Sequence, residues 1–194
     1  MRYLVLSDIH GGSEELTQAL SFFESFKCDA IVLLGDLLNH GPRNCVPKSY
    51  APPHVADLLN THKEHIIAVR GNCDSEVDSM VFSFPCNAPY GWLYCETKQG
   101  LCRIFLTHGH LHKIETCEDL SLLGLTPHDL VLSGHTHVSG IFEHKSGIKS
   151  LNPGSTTIPK GGTEKGFALI DEEGVKLFNL EGKLLNKLDF SSLF

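Results

Sequence analysis

The sequence has no apolar run near the roughly 18 residues that a transmembrane helix requires, and none of its seven cysteines falls in a C-x-x-C pair. The first absence argues against a membrane partner, the second against a structural zinc site or a dithiol redox motif. The cysteines (28, 45, 73, 86, 95, 102 and 117) are odd in number and carry no secretory context, so no disulfide framework is expected. Most should be small buried or half-buried residues. A basic excess is missing as well. Sixteen Lys and Arg against 23 Asp and Glu leave a formal net charge of −7, which opposes binding to long nucleic acids, since that normally relies on a basic face. Small anionic substrates are not excluded, because a local cationic site can override the global field. Repeats, low-complexity tracts and an interdomain linker are also lacking. One domain over residues 1–194 is therefore expected, large enough to bury about 70% of its unfolded surface. The opening MRYLVLSDIHGG has only a short apolar run closed by Ser7-Asp8 and does not read as a signal peptide. A cytoplasmic location is expected.

What the sequence does have is histidine, 12 residues, several in tight clusters. Strands and helices alternate in the first half. Tyr3-Leu4-Val5-Leu6 reads as a strand. Residues 13–26 read as a helix with Ser13 as N-cap, Glu14 and Glu15 in the first turn, and Leu16, Leu20 and Phe23 at helical spacing. Residues 30–34 form a second continuous apolar strand, as expected of strands buried on both faces. A Pro-rich loop (40–53) precedes a helix over 54–62 and a strand over 65–69. Further strands are predicted at 102–106 and 130–132. After about residue 138 the chain reads as all-β, with strands in 147–155, 166–171, 174–180 and 184–190. Residues 77–100 give the weakest pattern.

Five of these runs each end in a side chain able to bind metal: Asp8 and His10, Asp36, Asn72, His108, and His135 and His137. Ligands of α/β sheets bind beyond the carboxyl ends of the strands, so these side chains should converge if the strands share a sheet edge. Seven imidazole and oxygen donors exceed what one tetrahedral zinc needs, and the imidazoles disfavour calcium. The set suits two transition ions sharing a carboxylate, the arrangement that activates a water and clamps a phosphoryl group. Mixed N/O ligation admits Mn, Fe, Co, Zn or Ni.

In their order, D-x-H (8–10), GD (35–36), GN-x-D (71–74), H-G-H (108–110) and GH-T-H (134–137) resemble the signature of the calcineurin-like metallophosphoesterase superfamily. The stretches 35–44, 50–60, 70–78 and 152–162 are similar to its bacterial phosphodiesterase branch. The resemblance implies an α/β fold, a four-layer αββα sandwich of two mixed sheets flanked by helices. It also implies two divalent ions, manganese expected, one held by Asp8, His10, Asp36 and His137. The other would take Asp36, Asn72, His108 and His135, with Asp36 bridging. The implied activity is hydrolysis of small phosphodiesters by a bridging hydroxide. Rival readings are a phosphomonoesterase or nucleotide hydrolase on the same fold, and a non-catalytic scaffold.

Most of the superfamily has histidine third in GN-x-D, where it protonates the leaving oxygen. Here that residue is Cys73, expected to support or merely space the substrate edge. Asp74 is expected to steer a neighbour and His110 to offer an alternative for proton transfer. Arg43 and His40 are candidates for phosphate contact, with an exposed turn held by Pro42 as the alternative. Lys160 reads as a solvated loop charge and Asn152-Pro153-Gly154-Ser155 as a turn packed beneath the site. The other histidines (54, 62, 65, 112, 128, 144) read as surface residues. The stretch 42–59 is a candidate self-association surface.

Overall fold

In the computed structural model, which describes residues 1–112, 114–116 and 120–194, the first apolar run forms strand β1 (Tyr3–Leu6), buried throughout. Successive side chains of a strand point to opposite faces. Tyr3 and Val5 join one apolar cluster and Leu4 and Leu6 another, which is why the run shows no polar alternation. Helix α1 (Ser13–Ser25), β2 (Ala30–Leu33), helix α2 (Pro52–Asn60) and β3 (Ile66–Ala68) follow. The strands β1, β2 and β3 pair in parallel. Leu16, Leu20 and Phe23 of α1, with Val55 and Leu59 of α2, cover the outer face of this sheet.

A second sheet holds β4 (Tyr90–Thr97), β5 (Gly100–Thr107), β6 (Leu130–Leu132), β7 (Gly140–Glu143) and β8 (Lys149–Asn152), in the order β4-β5-β6-β8-β7. Its inner three strands run parallel. The chain then returns to the first sheet as β9 (Gly166–Ile170), β10 (Gly174–Asn179) and β11 (Leu184–Asp189), giving the order β11-β10-β9-β1-β2-β3. Between the sheets, Val5, Val32 and Leu34 share one cluster with Ile104, Leu106, Leu132 and Leu151. This is the expected sandwich of two mixed sheets. The outer cover is unequal, however. Among the described residues, the second sheet is covered by 3-10 turns at Ile114–Thr116 and Leu120–Leu123, which pack Ile114 and Leu120 against Phe105 and Val131.

Several expectations change in detail. Ser13 is not the N-cap: Gly12 holds that position with no side-chain cap, and the Ser13 hydroxyl donates to the carbonyl of Ser49 at 3.0 Å. Helix α2 begins two residues earlier than expected, with prolines in its first turn, where a missing N–H costs nothing. The stretch 77–100 contains β4, the first strand of a hairpin with β5. Strand β7 was also unread. In 42–59, Val55, Ala56 and Leu59 are buried, whereas Val46 is exposed. No helix among the described residues is long and apolar enough to cross a membrane.

Candidate metal centre

The five parallel strands β1, β2, β3, β5 and β6 deliver the seven candidate ligands from their carboxyl ends, and the two sheets bring them together. His137 Nε2 lies 3.3 Å from Asp8 Oδ1, and His10 Nε2 lies 3.7 Å from Asp8 Oδ1 and 3.7 Å from Asp36 Oδ2. His108 Nε2 is 3.4 Å from Asp36 Oδ2, 4.0 Å from Asp8 Oδ1 and 3.2 Å from Asn72 Oδ1. The ring of His135 stands edge-on to that of His108, with centroids 5.2 Å apart. Asp8, His10, Asp36, His108 and His137 are all buried, and His135 is half-buried.

Backbone strain concentrates here. Among the described residues, six non-glycine residues have positive φ, and five of them are candidate ligands: Asp8 (51°), His10 (47°), Asp36 (56°), His135 (71°) and His137 (61°). Each such conformation costs on the order of 1–3 kcal/mol and persists where the surroundings enforce it, often at functional sites. Glycines permit the close approach between loops. A Cβ on Gly71 would collide with Asp36 Oδ1, and one on Gly134 with Ser7 Oγ and Asp8 Oδ2.

The hydrogen bonds fix how the histidines are presented. The Nδ1 atoms of His10, His108 and His137 lie 2.6, 2.7 and 2.7 Å from the carbonyls of Asn39, Leu34 and Ile158. A carbonyl can only accept, so each Nδ1 carries the proton, and the Nε2 of each neutral ring is bare. Nε2 of His10 and Nε2 of His137 are 3.1 Å apart, lone pair against lone pair. Asp8 Oδ1 beside them is buried without a hydrogen-bond partner, while its Oδ2 accepts from Ser7 Oγ (2.7 Å) and the amide of His135 (3.0 Å). A bare donor array with an orphaned buried carboxylate oxygen is short of positive charge. The residues therefore fit divalent cations, and three groups gather ligand atoms within 4.8 Å: Asp8/His10/His137, His10/Asp36/Cys73 and Asp8/Asp36/His108.

Protons compensate partly where no cation does. Burial opposes charge on His108, but the carboxylates of Asp36 and Asp8 outweigh it and push the ring up to about 9. His10 is raised in the same way, against burial, by Asp8. Burial lowers His135, helped by the charge of His108, and it lowers His137 as well. Asp8 and Asp36 both stay below the usual carboxylate range despite burial, because imidazoles surround them.

The chain's residues 1–174 match the calcineurin-like phosphoesterase superfamily domain. The chain belongs to the calcineurin-like phosphoesterase superfamily. It is a metal-dependent phosphoesterase. This phosphoesterase is 41% identical to phosphodiesterase YfcE of Escherichia coli K12 over 180 residues, covering 93% of this chain and 92% of that protein. The solved structure of the E. coli phosphoesterase YfcE superposes with a TM-score of 0.88 at 37% identity, covering 98% of this chain and all (100%) of that one. A Vps29 from Entamoeba histolytica, complexed with zinc, shares the fold at 19% identity and a TM-score of 0.58, over 98% of this chain and 99% of its own.

The remaining candidates in the phosphoesterase fall on two sides of Asn72. A cleft of about 350 Å³ is lined by His10, Asp36, Asn72 and His137 together with Arg43 and Lys160. A second depression of about 580 Å³ is lined by Arg70, Asn72, Asp74, Asn87, Pro89 and His110. His40 does not line the first cleft: its ring packs edge-on against Tyr50, centroids 5.3 Å apart. The ring of His110 lies tilted against that of His108, centroids 5.3 Å apart, and burial lowers the pKa of His110. Cys73 donates its backbone N–H to Asp36 Oδ1 at 2.7 Å, and its Sγ accepts from Asn72 Nδ2 at 3.2 Å. Asp74 accepts from the amides of Asp36, Leu37 and Gly71. The turn 152–155 sits beneath the site, with Ser155 Oγ donating to the carbonyl of Asp8 at 2.6 Å. Lys160 is an exposed loop charge, as expected, and it also lines the cleft. Its amide donates to the carbonyl of His137 at 2.9 Å, a tether with no sequence signal across 23 positions. The six unassigned histidines line neither the centre nor the cleft.

Proposed function

We propose that this phosphoesterase hydrolyses small phosphodiesters at a dinuclear metal site. Asp8, His10, Asp36 and His137 would hold one ion, and Asp36, Asn72, His108 and His135 the other. The observation that carries the reading is the set of bare Nε2 atoms converging on the partnerless Asp8 Oδ1. Similarity to a phosphodiesterase over nearly the whole chain supports the choice of diester. When bound, two divalent ions would supply an activated water and absorb charge on the phosphoryl oxygens.

The chain's own residues prepare that chemistry. Backbone carbonyls lock three imidazoles in the tautomer that leaves Nε2 free, an outer set of contacts of the kind that tunes metal ligands. Cys73 presents Asn72 by accepting from its amide nitrogen, so that Oδ1 faces His108. With a thiol at this position, His110 is the candidate for delivering a proton to the leaving oxygen. Manganese, which the family resemblance implies, is the ion we assign among those that mixed N/O ligation admits, and the six free thiols among the described residues suit a reducing cytoplasm.

The test pairs bis-p-nitrophenyl phosphate with p-nitrophenyl phosphate on metal-stripped protein resupplied with Mn2+, Zn2+, Co2+, Ni2+ or Fe2+. Faster turnover of the diester, dependent on added ion, supports the reading. Preference for the monoester would replace it with a phosphomonoesterase. No turnover of either with a filled site would leave a scaffold.

A further inference from the structure

The two clefts flanking Asn72 differ in charge. At the His10/His137 end, Arg43 and Lys160 rim the cleft. Among the described residues, Arg103, Lys165, Lys176 and Lys187 pair with carboxylates elsewhere, whereas neither Arg43 nor Lys160 has a carboxylate partner. In a chain of net charge −7, these two cations face one cleft without an ion-pair partner. Nor are they on free loops. The Arg43 loop is tied to the centre through the carbonyl of Asn39, which accepts from His10 Nδ1. It is closed on itself by Asn44 N–H to the Gly41 carbonyl at 3.1 Å and by Asn44 Nδ2 to the His40 carbonyl at 2.8 Å. Lys160 is tied to the carbonyl of His137. Since His10 and His137 touch at 3.1 Å, both cations are anchored to the same end of the centre.

A simple phosphodiester carries one negative charge, at the scissile phosphorus, and the candidate metal ligands already surround that position. Two further cations on the wall of the same cleft leave positive charge there for a second anion. An Arg fork beside a Lys ammonium is chemistry suited to phosphate oxygens. The other depression, past Asn72, has room for the second ester arm; there the Arg70 guanidinium donates to the carbonyl of Asp74 beside that residue's carboxylate, and the rest of the lining offers amide, ring and apolar surfaces (Asn87, Pro89, His110, Leu111).

We propose that Arg43 and Lys160 recognise a second phosphate on one ester arm of the substrate. The preferred substrate is then a phosphodiester whose retained arm carries an additional phosphate group, with the departing arm on the His110 side. This inference rests on the phosphodiesterase reading above.

Two substrates with the same leaving group test it: thymidine 5′-(p-nitrophenyl phosphate) and its analogue bearing a 3′-phosphate, with release of p-nitrophenolate measured in Mn2+. The 3′-phosphate should raise kcat/KM about tenfold, the scale of two exposed charge-assisted contacts, and the advantage should shrink as salt rises. In Arg43→Gln/Lys160→Gln the ratio of the two kcat/KM values should fall to about one. Because the ratio is internal to each protein, a general loss of activity does not obscure it. As a readout without turnover, calorimetry should show thymidine 3′,5′-bisphosphate binding the parent protein more tightly than thymidine 5′-phosphate. A ratio of one or less in the parent protein, or a ratio kept in the double variant, overturns the inference and leaves the phosphodiesterase reading standing. Hydrolysis of neither substrate overturns both.

Discussion

Asp74 Oδ2 lies 2.8 Å from the backbone nitrogen of Asp36, and the same oxygen lies 2.6 Å from that of Gly71. Its Oδ1 accepts from the amide of Leu37 at 2.8 Å. One buried carboxylate therefore ties the loop after β2 to the loop after β3, and with them two candidate ligands, Asp36 and Asn72. The Asp74 carboxylate reaches those neighbours through their backbone rather than through a side chain.

Replacing that carboxylate should loosen the centre without touching it. In Asp74→Asn the amide group turns an N–H toward a backbone N–H and leaves a buried donor unmatched, a loss of about 1–3 kcal/mol. A lower thermal midpoint and weaker Mn2+ binding by calorimetry are expected together. If both stay at parental values, Asp74 does not position Asp36.

The glycine before Asn72 should be required for a steric reason. A Cβ at Gly71 collides with Asp36 Oδ1, whereas at Gly91 the nearest atom is Val69 Cγ1, in ordinary contact at 3.7 Å. Gly71→Ala should lose bound metal and activity by at least about tenfold, a displacement of Asp36 worth about 1.4 kcal/mol. Gly91→Ala should retain both. Metal content of the two purified variants checks this directly, and equal content would remove the steric argument.

Metal-stripped protein should have a stability optimum near neutral pH. His108 rises from 6.5 to about 9 on folding. Its contribution is complete below 6.5 and is lost as pH climbs through about 9. His10, also raised, acts in the same sense. His135 and His137 are lowered, so they disfavour the folded state as pH falls below their unfolded value. Thermal midpoints of chelator-treated protein should therefore decline from about pH 6.5 to 9. Saturating Mn2+ should flatten that decline, because the ions take the place of the protons. A midpoint rising steadily to pH 9 in chelator would contradict the assigned protonation.

The Cys73 thiol should be unreactive in the same metal-stripped protein. Burial, with the charges of Asp36, Asp74 and Asp8 nearby, pushes it up to about 12, so almost no thiolate exists at pH 8. Exposed Cys45 should be alkylated by iodoacetamide well before Cys73, as peptide mapping would show. In Cys73→Ala, turnover of a diester with a poor leaving group separates two roles. Unchanged turnover dismisses proton donation, while reduced Mn2+ affinity with intact turnover per bound ion marks loss of Asn72 positioning.

Much of the centre was legible because β1, β2 and β6, which precede five of the seven candidate ligands, are buried on both faces and announce themselves as uninterrupted apolar runs. Strand β4 was not, because its outer face carries Tyr90, Trp92 and Tyr94 opposite Leu93 and Cys95. With aromatic residues on the second face, the alternation that marks a half-exposed strand disappears. His40 looked like a phosphate contact from its place beside Arg43, but ring packing against Tyr50 decides where its side chain goes.

By itself, the sequence determined which chemical groups would meet: carboxylates, an amide oxygen and imidazoles placed after parallel strands, whose common direction leaves their ends at one edge. Tertiary structure alone decided how they meet. The carbonyls of Asn39, Leu34 and Ile158 select the imidazole tautomers, and Asp74 sets the spacing of two loops. The amide of Lys160 carries a cation to His137 from 23 positions away. These are hydrogen bonds to backbone groups, which every residue carries alike, so side-chain identity leaves no trace of them in the order of the amino acids.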